Sequence, residues 1–121
     1  MSDIKRILIA DDAATVAALL TAALEMDGYE VTSVGDGERA HEEGATGSYD
    51  LVIIDQLMPG LLGIEVIAKW RAAGNDVPVM MLSAVDDEYT VVNSLQLGAV
   101  DFVRKPFNMQ ELLARVRRNL G

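Results

Sequence analysis

The chain has no cysteine, which removes disulfides, thiol catalysis and zinc thiolate sites together. That lack is compatible with a reducing cytoplasm. There is one histidine, His41, set beside Glu42 and Glu43 on a weakly patterned stretch. It reads as a surface residue, neither a ligand nor a phosphodonor. Basic residues are scarce: 10 Lys and Arg against 19 Asp and Glu give a formal net charge of −9. Direct nucleic-acid binding needs clustered cations against phosphate, so none is expected of this domain. No apolar run approaches transmembrane length, and no signal-peptide hydrophobic region follows Met1 to Arg6. A soluble, cytoplasmic protein is expected, with no membrane partner. Repeats, low-complexity tracts and linkers are also missing. A chain of 121 residues, half of them hydrophobic, fits a single domain over 1–121 with a real core.

What is present is a set of short apolar runs that end in acids. Leu51-Val52-Ile53-Ile54 stops at Asp55 and turns at Pro59-Gly60. Ile7-Leu8-Ile9-Ala10 runs into Asp11-Asp12. A short apolar run closed by a turn signal reads as a buried strand, and it delivers the acid to the strand's C-terminal end. Further runs cover Glu30 to Val34, Val77 to Leu82 and Val100 to Arg104.

Helical spacing fills the gaps. Val16, Leu19, Leu20, Ala23 and Leu24 form the first helix, with Gly28 as its stop. A weak second helix around Ala40 opens near Asp36-Gly37 and closes near Gly47. Ile64, Val66, Ile67 and Trp70 form the third, ended by Gly74-Asn75. Val91, Val92, Leu95 and Leu97 form the fourth, capped by Gly98. Leu112, Leu113, Val116 and Leu120 form the fifth, with Asn108 as N-cap. Trp70 and the six methionines are expected to pack inside. Asp86-Asp87-Glu88 should complement the N-terminus of the fourth helix. Strict alternation predicts a (βα)5 flavodoxin-like sandwich: a parallel sheet with helices on both faces.

In a doubly wound sheet of order 2-1-3-4-5, the strand ends gather on one edge. Asp11 and Asp12 follow the first strand, Asp55 the third, Ser83 the fourth and Lys105 the fifth. Three carboxylates in one pocket repel and call for a cation, and hard oxygen ligands suit Mg²⁺ or Mn²⁺. Acids, a hydroxyl and an ammonium group together are equipment for phosphoryl transfer, where positioning and charge neutralisation dominate. A carboxylate would attack phosphorus, Lys105 would neutralise a phosphoryl oxygen, and Ser83 would bond another.

Over its whole length the chain resembles the receiver domain of bacterial two-component response regulators. The resemblance lies in Ala10-Asp11-Asp12, Asp55 to Gly60, Leu82-Ser83-Ala84, and Asp101-Phe102-Val103-Arg104-Lys105-Pro106-Phe107. It implies that Asp55 is the phosphoacceptor, taking its phosphoryl group from a histidine kinase or phosphotransfer protein. It implies Mg²⁺ held by Asp12, Asp55 and the Leu57 backbone carbonyl, with Asp11 acting largely through water. Ser83 and Phe102 would be the switch pair, and Lys105 would precede a cis proline. Such a protein would act catalytically only on itself, and would control an output domain or downstream protein. Gln56 departs from the apolar residue usual at its position, and Leu57 and Val85 flank the site without a polar group. Residues 105–117 look closest to regulators with winged-helix DNA-binding outputs, in which the fourth helix, fifth strand and fifth helix pair in a homodimer. Asp101 and Arg115 fit the ion pairs of that face. Gln96 and Val100 do not, nor does the stretch from Asp86 to Leu97, which has no Lys or Arg.

Three rival readings fare worse. A Mg²⁺-dependent aspartyl phosphatase resembles Asp-x-Asp at the first strand, a spacing that Asp11-Asp12 lacks. A flavin or dinucleotide binder needs a Gly- or Ser/Thr-rich loop where Ala13-Ala14-Thr15 stands. A phosphorylation-independent interaction module has no use for the complete acid, hydroxyl and lysine set.

Overall fold

The computed structural model describes residues 4–85 and 87–120. Strands β1 (Arg6–Ala10), β2 (Glu30–Val34), β3 (Leu51–Ile54), β4 (Val79–Ser83) and β5 (Asp101–Arg104) alternate with helices α1 (Ala14–Met26), α2 (Gly37–Gly44), α3 (Gly63–Ala72), α4 (Glu88–Gln96) and α5 (Met109–Leu120). The sheet is five-stranded and ordered β2-β1-β3-β4-β5, every pairing parallel. This is the expected flavodoxin-like architecture.

β1, β3 and β4 read as continuous apolar runs because both faces are covered, whereas the edge strands β2 and β5 carry polar residues and are more exposed. The strands' period of two then divides the core. Leu8, Ala10, Val52, Ile54, Val79 and Met81 face one side, packed with Val66, Ile67 and Trp70 of α3. Ile7, Ile9, Leu51, Ile53, Met80 and Leu82 face the other, packed with Leu20 and Leu24 of α1 and Leu112 and Val116 of α5.

Helix ends follow local chemistry. Asp36 Oδ1 accepts from the Arg39 N–H, Asp87 Oδ1 from the Thr90 N–H and Asn108 Oδ1 from the Glu111 N–H. These cap α2, α4 and α5. The cap at Asp87 fulfils part of the role expected of Asp86-Asp87-Glu88; Asp86 lies outside the described residues. The short, polar α2 is held by tertiary packing. Gly44 abuts the Trp70 ring so closely that any Cβ would collide with it, and Trp70 Nε1 donates to the His41 carbonyl at 3.1 Å.

Several expectations need adjusting. β4 begins at Val79, because the Val77 N–H is turned to Asn75 Oδ1 instead of a neighbouring strand. β5 begins at Asp101, one residue later than expected. Met58, Met80 and Met81 are buried, but Met26 is 90% exposed at the end of α1. His41 is half-buried, not fully on the surface.

Candidate functional site

The parallel sheet sends the C-terminal ends of β1, β3, β4 and β5 to one edge. In register, Ala10 lies beside Ile54, and Ser83 lies beside Arg104. The residues that follow therefore meet there. The Asp55 N–H donates to the Ala10 carbonyl at 2.9 Å, and the Lys105 N–H to the Ser83 carbonyl at 3.0 Å. Backbone bonds thus fix the roots of Asp55 and Lys105.

Asp11, Asp12 and Asp55 each offer a carboxylate oxygen within 4.8 Å of the others. Asp11 and Asp55 are buried, whereas Asp12 is exposed. Lys105 Nζ donates to Asp11 Oδ2 at 2.7 Å and to Asp55 Oδ2 at 3.1 Å. Burial works against the ammonium, but the two carboxylates outweigh it, and the Lys105 pKa lies above its ordinary value of 10.5. Asp11 Oδ1 accepts from the Ala13 N–H at 2.8 Å, which orients that side chain. Asp12 and Asp55 Oδ1 make no hydrogen bond among the described residues, and no unpartnered side-chain oxygen there is sealed from solvent. Asp11 and Asp12 open onto a groove of about 570 Å³ along α1.

Ser83 lies at the same edge, whereas Asp101 and Phe102 sit further back, at the start of β5. Ser83 is fully buried, and its Oγ accepts from the Val85 N–H at 3.0 Å. It turns back on its own loop and leaves the capping of α4 to Asp87. Phe102 is half-buried against the α3-side core, and the Arg104 guanidinium lies 5.8 Å from its ring centroid. The Lys105–Pro106 bond is cis. Leu57 is 56% exposed on the loop after Asp55. Asp101 accepts from Arg115 at 2.9 and 3.0 Å and from Arg118 at 3.0 Å, all within one chain.

One residue carries more than its sequence reading implied. Gln56 is buried, and its Oε1 accepts from the Ile64 N–H at 2.9 Å. The sign in the sequence is an amide two positions past the end of an apolar strand, after Asp55.

The donor set suits a hard divalent cation: clustered carboxylates, one of them exposed and unpaired, with no nitrogen or sulfur ligand. An aspartate with a free oxygen, beside a cation site and a fixed ammonium, has what a phosphoryl acceptor requires.

Comparison with known proteins gives the family. Residues 7–117 match the response regulator receiver domain. The chain belongs to that family. Among its relatives, the alkaline phosphatase synthesis transcriptional regulatory protein PhoP of Bacillus subtilis is 41% identical over 113 residues, covering 93% of this chain and 47% of PhoP. The DNA-binding response regulator MtrA of Mycolicibacterium paratuberculosis is 41% identical over 116 residues, covering 96% of this chain and 51% of MtrA. The receiver domain thus spans about half the length of these relatives. Among solved structures, the receiver domain of Francisella response regulator 1452 superimposes with a TM-score of 0.89 at 33% identity, over 95% of both chains. TrrA of Thermotoga maritima, solved in complex with Mg²⁺ and BeF, superimposes with a TM-score of 0.85 at 35% identity, over 96% of this chain and 99% of that one.

Proposed function

We propose that this receiver domain is a Mg²⁺-dependent phosphorylation switch in which Asp55 accepts a phosphoryl group from a phosphohistidine of a histidine kinase or phosphotransfer protein. The observation that carries the reading is Lys105 Nζ bonded to both Asp11 and Asp55, with Asp12 exposed beside them. Asp55 Oδ1 attacks phosphorus, the N–P bond of the donor breaks, and its electron pair returns to the imidazole. The product is an acyl phosphate on Asp55. Lys105 neutralises one phosphoryl oxygen, and the Ser83 hydroxyl leaves the Val85 N–H to bond another. Asp12, Asp55 and the Leu57 carbonyl would hold Mg²⁺ directly, and Asp11 through water; when bound, the ion supplies positive charge to the transferring group. Mn²⁺ would serve in its place. The same site later hydrolyses the acyl phosphate, so the domain acts on itself and turns over no separate substrate.

Movement of Ser83 vacates space that the Phe102 ring fills, and the face of α4, β5 and α5 changes with it. Phosphorylation decides between two arrangements only if they differ by a few kcal/mol. The relatives are transcriptional and DNA-binding regulators, so the output we assign is control of transcription through an output domain or downstream protein. A second copy of the chain is a further partner on that face, where Tyr89, Val92, Leu95 and Val100 are exposed.

The test is NMR of the wild type and Ser83→Ala with Mg²⁺ and beryllofluoride, a phosphoryl mimic. Shifts should spread from Asp55 through Val91 to Phe102 in the wild type and stay local in Ser83→Ala. Equal spread in both proteins contradicts the switch.

A further inference from the structure

Gln56 follows the proposed phosphoacceptor directly, yet it is only 4% exposed. A buried amide is costly unless its polar atoms are bonded. Here the residue forms a two-point clasp on the start of α3. Its side-chain Oε1 accepts from the Ile64 N–H at 2.9 Å, and its backbone carbonyl accepts from the Gly63 N–H at 2.9 Å. These are first-turn amides, which have no acceptor within the helix. The N-cap residue, Leu62, has no side-chain acceptor to offer them, so Gln56 does the capping from across the loop. The clasp is tight: a Cβ on Gly63 would collide with the Asp55 carbonyl, so only glycine lets the helix start close on the strand end. Between the two ends of the clasp lies the loop from Leu57 to Leu62. Glu65 Oε1 fastens its far end by accepting from the Leu62 N–H at 2.8 Å.

We infer that Gln56 is a positioning residue for the cation site: by binding the start of α3 it holds the loop that carries the Leu57 carbonyl, so the loop is ordered before the metal arrives. This rests on the proposed Mg²⁺ role of the site. An apolar residue at position 56 would fill the same space but leave the Ile64 N–H to be satisfied some other way. The Gln56 side chain bonds the Ile64 N–H. Its effect is to reduce the ordering that metal binding would otherwise require.

The experiment compares the wild type with Gln56→Met, which keeps the length and loses the acceptor. Asn75→Ala serves as a control that loosens the far end of α3, where Asn75 Nδ2 donates to the Gly44 carbonyl. Mg²⁺ affinity is measured by calorimetry, and amide exchange by NMR. In wild type without metal, the Ile64 amide should be protected. In Gln56→Met it should exchange faster and Mg²⁺ should bind roughly 10-fold more weakly, equal to about 1.4 kcal/mol. Phosphorylation at saturating Mg²⁺ should recover, because the defect lies in metal affinity. Asn75→Ala should bind Mg²⁺ as wild type does. An unprotected Ile64 amide in wild type overturns the proposal even if Gln56→Met fails to fold. So does equal affinity in wild type and Gln56→Met, or equal weakening in both variants. Wild type that binds no Mg²⁺ overturns the metal reading itself, and this inference with it.

Discussion

Lys105 Nζ lies 3.1 Å from Asp55 Oδ2, across 50 residues of sequence, with both side chains mostly withdrawn from water. The same ammonium sits 2.7 Å from Asp11. Removing it leaves two buried carboxylates facing each other uncompensated. Lys105→Met should therefore cost about 2 kcal/mol in the absence of divalent metal, below the usual loss for a fully buried pair because Lys105 keeps some exposure. Urea denaturation with EDTA measures it. Unchanged stability would mean that the three groups are solvated rather than coupled.

Metal should offset the same repulsion. At ~100 times its dissociation constant, Mg²⁺ should stabilise the fold by about 2.7 kcal/mol. Asp12 is exposed and free to ligate, so Asp12→Ala should lose most of that gain while folding normally. Melting curves with and without Mg²⁺ test this, and identical responses in the two proteins would refute it.

A second ion pair predicts an acid dependence far from the site. Arg117 binds Asp27 by two bonds, at 2.7 and 2.9 Å, tying the end of α1 to α5. The Arg117 hydrogen bonds hold the Asp27 carboxyl below its ordinary value of 3.8. A depressed folded pKa gives stability that is present above the ordinary value and lost as pH falls through the folded one. Asp27→Asn should be less stable at neutral pH, with the gap to wild type closing below pH 3.8. A gap that stays constant down to full acid unfolding would exclude the linkage.

Much of this could be read from the residues before any coordinates. β1, β3 and β4 are buried on two faces, so their apolar runs are unbroken, and each run ends at the residue that matters: Asp11, Asp55 and Ser83. The sheet order then brings those ends together without further information. What stayed hidden depends on contacts between distant segments. Gln56 read as a mild departure, because hydrophobic periodicity says nothing about which amide lies across a loop. Trp70 reaches back to the carbonyl of the half-buried His41, and α2 itself rests on Gly44 fitting under that ring. Met26 was expected inside on residue type alone, but it falls at the exposed end of α1.

The lifetime of the phosphorylated state should be long. Hydrolysis requires a water in line behind phosphorus, and a polar side chain at position 57 or 85 could hold it there. Leu57 and Val85 offer no such group. Each missing contact should slow the step by ~10-fold, or about 1.4 kcal/mol of barrier. Leu57→Asn and Val85→Glu should speed the decay measured after the phosphodonor is removed. Decay within seconds in wild type, or no acceleration in either variant, would defeat the explanation.

The central claim is that Asp55 alone takes the phosphoryl group, with Mg²⁺. Intact-protein mass spectrometry after incubation with acetyl phosphate tests it most directly. The account predicts one phosphoryl adduct on wild type with Mg²⁺, none when EDTA replaces the metal, and none on Asp55→Asn. An adduct that persists on Asp55→Asn, or one that forms equally well in EDTA, would contradict it.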